Sequence, residues 1–152
     1  MRYTRSFTVK APLAFVAAFH ADSEALKKLT PPPIVVQPRR IEPLAEESVS
    51  QFVLWLGPLP VPWTARHSQV GPDGFVDEQE KGPYKRWVHH HRFEAISADS
   101  SRVIDEIEAE LSPQPVRWFI GAALWLGLPV LFAYRAWRTR KAVARMAVEG
   151  AA

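Results

Sequence analysis

Residues 74–93 read GFVDEQEKGPYKRWVHHHRF, and the alternation within them decides the fold. Gly82-Pro83 divides the stretch into two extended runs, since proline lacks a backbone donor and glycine turns freely. In the second run Trp87, His89, His91 and Phe93 fall on one face at period two, and Val88, His90, Arg92 and Glu94 on the other. If the turn at 81–83 closes a hairpin, Phe75, Asp77 and Gln79 run back along the first face. That face is the aromatic one, so it is expected to point inward and to carry its histidines and aspartate with it.

Working outward, similar extended runs are predicted at 2–9, 34–43, 47–56, 61–70 and 102–111, separated by Gly57-Pro58, Gly71-Pro72-Asp73-Gly74 and the polar 98–101. Such short breaks favour hairpins and hence an antiparallel meander. Between the first two runs, Leu13, Phe15, Val16 and Phe19 recur at helical spacing after Pro12. Asp22 or Ser23 then caps a short helix carrying Ala25, Leu26 and Leu29, which Pro31 to Pro33 terminate. The last element, 115–148, is a long helix. One α+β domain over 1–149 with a tail at 150–152 is the expected organisation.

This order of elements resembles the Bet v 1-like helix-grip fold, in which a curved antiparallel sheet of about seven strands wraps a long C-terminal helix. The local sequence narrows the resemblance. Phe75, Asp77, Gln79, Gly82-Pro83-Tyr84, Trp87, His89, His91 and Phe93 follow a pattern similar to one branch of the START/SRPBCC superfamily, the polyketide cyclase/dehydrase-like group. Leu29 with Pro31 to Pro33, Trp63 with His67, Asp105, and Phe132 to Arg135 are further landmarks of the same branch. The resemblance implies a cavity between sheet and helix that takes an apolar small molecule. Some relatives carry such a domain fused to an epimerase-type oxidoreductase domain, which is not expected here.

Composition agrees with a globular domain: 47% hydrophobic and 23% charged residues, with six Trp and eight Phe to build a core or line a cavity. The absence of cysteine removes disulfides, thiolate nucleophiles and cysteine-metal sites. Arg135, Arg138, Arg140, Lys141 and Arg145 outweigh the net charge of +3, leaving a basic C-terminal end rather than the basic face of a nucleic-acid binder. No nucleic-acid partner is expected. The N-terminal residues show no secretory signal, which predicts a cytoplasmic protein.

The expected ligand-binding set is Trp63, Phe75, Trp87 and Phe93 as apolar walls, with His67, Asp77, His89 and His91 as orienting polar groups. Asp105 joins it, because its parity places it among Val103, Ile107 and Ala109, where a carboxylate needs a histidine or arginine partner. A plainer reading stands beside this one: buried His and Asp satisfy each other and Trp fills core volume. No G-x-S-x-G elbow or phosphate loop is present, no cofactor is expected, and no catalytic residue can be assigned. A cyclase or dehydratase using the same histidines and aspartates is the alternative activity. Metal is not expected either: His89 and His91 point the same way, but only His67 or Asp77 could complete a zinc site.

The 17 residues from Trp118 to Tyr134 are uncharged, barely enough to cross a bilayer. As a grip helix, this segment packs on the sheet and leaves an apolar side for a partner subunit or a lipid surface. As an anchor, it makes the chain a membrane-attached accessory subunit.

Overall fold

The computed structural model describes residues 1–150. Its elements are β1 (Arg2–Val9), α1 (Leu13–Ala21), α2 (Ala25–Lys28), β2 (Val35–Ile41), β3 (Val49–Leu56), β4 (Leu59–Gly71), β5 (Gly74–Lys81), β6 (Tyr84–Ser97), β7 (Ser100–Leu111) and α3 (Pro115–Gly150). The expected helix 115–148 and tail 150–152 are corrected at one point. Gly150 still belongs to α3, and 151–152 lie outside the described residues.

The seven strands form one antiparallel sheet in the order β1-β7-β6-β5-β4-β3-β2. Consecutive strands from β2 to β7 pair through short turns, and β1 closes onto β7, so α1 and α2 span from one edge of the sheet to the other. Register shifts at Pro38/Arg40, Thr64/Ala65, Ser68/Gly71, Tyr84/Arg86 and Ala95/Ser97 bend and twist the strands, and the sheet curves around α3.

The outer face of the central strands carries paired charges: Lys85 with Glu110 at 2.8 Å, Arg86 with Glu108 at 3.2 Å and Arg92 with Glu106 at 3.5 Å. Glu106, Glu108 and Glu110 lie on this outer face, and Asp105 turns inward with Val103 and Ile107, as its parity implied.

Two apolar clusters fill the concave side. Phe7, Val9, Val16, Phe19, Phe75, Phe93 and Val103 pack with Ala136 and Val143 at one end of α3. Tyr84, Trp87, Ile107 and Ala109 pack with Leu128 and Phe132 at the other. Polar ties fasten the 36-residue helix along its length. The Arg117 guanidinium donates to the Gly82 carbonyl, the Tyr84 hydroxyl to Gly121 O at 2.9 Å, Arg138 to Lys28 O at 3.1 Å and Arg140 to Thr8 O at 3.0 Å. The helix is a structural partner of the sheet.

Candidate functional site: a cavity between sheet and helix

Strand pairing sets the site. His67 lies opposite Asp77, and Asp77 opposite His89; one step along, Phe75 lies opposite His91, and His91 opposite Asp105. Four neighbouring strands therefore deliver five titratable side chains to one patch of the concave face.

They connect into a chain. His67 Nδ1 is 3.0 Å from both the hydroxyl and the carbonyl oxygen of Ser48, and its Nε2 is 3.1 Å from Asp77 Oδ1. The other Asp77 oxygen is 3.0 Å from His91 Nε2, His91 Nδ1 is 3.2 Å from Asp105 Oδ1, and that same oxygen is 3.0 Å from His89 Nε2. The His67–Asp77 and His91–Asp105 contacts are close enough for ion pairs but poorly aligned as hydrogen bonds, because Asp77 Oδ1 and His91 Nδ1 have no well-directed partner.

The histidines take different charge states for physical reasons. Burial opposes the charge on His91, but the carboxylates of Asp105 and Asp77 outweigh it and raise its pKa to about 9. His89, 3.8 Å away between ring centroids, is lowered to about 4 by burial and by the charge on His91. His20 on α1 is also lowered to about 4, chiefly by burial. His67 is raised: burial is outweighed by Asp77 and the Ser48 carbonyl. Both aspartates stay ionised far below the usual range despite burial, because histidines surround them. At neutral pH the pair His91 and His89 presents one protonated and one neutral imidazole side by side, the arrangement acid–base chemistry requires.

Beside this network lies a cavity of about 220 Å³ bounded by the sheet, α1, α2 and α3. Trp63, His67, Phe75, Asp77, Trp87, His89 and His91 of the expected set line it. Phe93 and Asp105 stand behind the lining, both buried: Phe93 packs edge-on to Phe75, and Asp105 holds His89 and His91. Trp63 meets Trp87 at a right angle, centroids 5.5 Å apart, which gives the apolar wall its shape. Gln79 turns away from ligand duty; its amide group bonds the Tyr84 backbone in both directions and closes the β5–β6 turn.

Sequence reasoning missed the lining contributed by the helices. His20 accompanies Phe93, ring centroids 4.8 Å apart, and bonds the Val16 carbonyl. From α3 come Leu124, Leu128, Leu131, Phe132 and Arg135. Arg135, grouped above with the basic C-terminal end, is corrected: it points into the cavity. The signal was present, since 124, 128, 131/132 and 135 share one helical face.

Asp77, His89 and His91 could each offer one ligand atom to a metal, the three atoms lying within 4.8 Å of one another. Their fit to a cation is poor. Both His91 nitrogens and His89 Nε2 already face carboxylates, so a metal would have to break the ion pairs that hold the cluster.

No family profile and no curated protein matches the chain. Solved structures do. The Zhui aromatase/cyclase from Streptomyces sp. R1128 superposes with a TM-score of 0.69 at 15% identity, over 100% of this chain and 96% of that one. A START superfamily protein from Mycobacterium smegmatis gives 0.65 at 13% identity over 95% and 98% of the two chains. The chain has the Bet v 1-like helix-grip fold. The helix-grip domain also matches 28% of the nucleoside-diphosphate sugar epimerase from Corynebacterium glutamicum, at 25% identity over 91% of the present chain with a TM-score of 0.64.

Proposed function

We propose that this helix-grip domain binds an apolar small molecule of the lipid, polyketide or isoprenoid kind in the cavity between sheet and α3. The observation that carries this reading is the lining itself: aromatic and leucine walls from both sheet and helix, with polar groups gathered at one patch where they orient a guest. A packed core would have closed the space. A cavity of about 220 Å³ has room for a ring system or a short chain. Native mass spectrometry of untagged protein, with organic extraction of whatever it carries, tests the reading. The expected result is a discrete adduct of low polarity, displaced by a fluorescent apolar probe. Protein that neither carries nor takes up any apolar compound would overturn it.

The neutral His89 beside protonated His91 favours one second reading, a cyclase or dehydratase in which these two residues move protons to and from the guest. One of the neighbouring solved structures is an aromatase/cyclase. Turnover that His89→Gln abolishes, with retained binding, would support it.

The outer side of α3 bears on where the domain works. Val116, Phe119, Leu126, Val130 and Trp137 are exposed along one stripe, and exposed Lys141 and Arg145 follow it. An apolar stripe ending in cations suits the surface of an anionic bilayer, with the helix lying along it. Leu124, Leu128, Leu131, Phe132 and Arg135 on the inner side of the same segment wall the cavity, which favours a helix lying along the surface over one that spans.

A further inference from the structure

Arg135 stands apart from the other cations of the domain. Arg2, Arg66, Lys85, Arg86, Arg92 and Arg102 pair with glutamates on the surface, and Arg117, Arg138 and Arg140 donate to backbone carbonyls. Arg135 lines the cavity, its Nε is buried without a hydrogen-bond partner, and among the described residues it pairs with no carboxylate. Its guanidinium carbon lies 5.1 Å from the centre of the Phe132 ring, which offers only a face.

The carboxylates in the same space are already used. Asp77 lies between His67 and His91, and Asp105 between His91 and His89. Burial depresses the Arg135 pKa, while the fields of Asp105 and Asp77 hold the charge on. A guanidinium kept charged at an apolar wall without a hydrogen-bonded anion is costly, and a guest carrying an anion would offset that cost. Repulsion from the two aspartates is limited, since protonated His91 stands between them.

We propose that Arg135 anchors a carboxylate, so that the guest of this cavity is an apolar monocarboxylic acid held head-first at α3. The inference rests on the cavity-binding reading and narrows its ligand class. Two probe pairs test it: 2-naphthoate against methyl 2-naphthoate, and decanoate against methyl decanoate, measured by calorimetry on the full chain.

The acids are expected to bind at least about tenfold more tightly than their esters, the worth of one charged hydrogen-bonded contact. Arg135→Gln should reduce that ratio to about one by weakening the acids, and Arg135→Lys should restore part of it. Melting separates this role from a structural one: Arg135→Gln should melt no lower than the wild type, because it removes an unpaired charge. Esters that bind as tightly as acids, or a ratio unchanged in Arg135→Gln, would overturn the acid inference and leave the cavity reading standing. Failure of all four probes would overturn both.

Discussion

His91 and Asp105 face each other across β6 and β7, with Nδ1 3.2 Å from Oδ1 and both residues buried. The histidine is protonated in the fold because this carboxylate and Asp77 flank it, and stability must therefore depend on pH. A pKa raised from 6.5 to about 9 contributes stability that is complete below pH 6.5 and is lost as pH climbs through 9. On the acid side, His20 and His89, lowered to about 4, favour unfolding as pH falls from 6.5 toward 4. The aspartates add to that loss at lower pH. Melting temperature against pH should peak near neutrality, and His91→Gln should remove most of the decline between 6.5 and 9, the raised His67 leaving the remainder. A wild-type profile flat over that window would contradict the charge assignment.

Removing Asp105 leaves a buried imidazolium short of its anion. Asp105→Ala should cost about 3–5 kcal/mol in denaturant unfolding, the usual penalty for breaking a buried pair. His90→Ala, on the opposite face of β6, should stay within about 0.5 kcal/mol. Equal losses at both positions would contradict the strand parity.

At Gly74 the backbone has φ +141°, and a Cβ there would overlap the carbonyl oxygen of His91. Gly74→Ala should therefore destabilise by more than about 1 kcal/mol and loosen the β5–β6 pairing that positions Asp77 and His91. Hydrogen exchange of the amides at 75–78 and 89–92 reads the effect locally.

A chain ending at residue 114 lacks the inner face of α3, leaving the concave sheet wet, and should not fold. A soluble, cooperatively melting fragment would make α3 dispensable. In the full chain, the exposed stripe should bring the protein up with floated phosphatidylcholine vesicles only when phosphatidylglycerol is added, and high salt should release it. Replacing Phe119, Leu126 and Val130 by serine should abolish flotation without lowering the melting temperature. A concentration-dependent dimer that ignores vesicles would instead assign the stripe to a second copy.

Untagged protein dialysed against chelator should keep its fold and carry less than one zinc per chain, because the imidazole nitrogens are held by carboxylates. Stoichiometric zinc lost together with structure would make Asp77, His89 and His91 ligands.

Strand alternation alone placed Trp87, His89, His91 and Phe93 on one face, and Asp105 among apolar residues in need of a partner. Period two is a local property of extended chain, and one buried face makes it legible. The turn residues marked the element order, and the resemblance of that order to the helix-grip fold implied the curved sheet around a long helix. Which histidine is charged was beyond such reading, because it depends on which carboxylate lies across the strand boundary and how deeply both are buried. Arg135 is the sharpest case. In the sequence it ends an apolar run and begins a basic one, so charge grouping sends it to solvent. Only the packing of α3 against β1, β6, β7 and α1 decided that this side chain faces the cavity, since a helix carries its side chains all round and its neighbours determine which of them are enclosed.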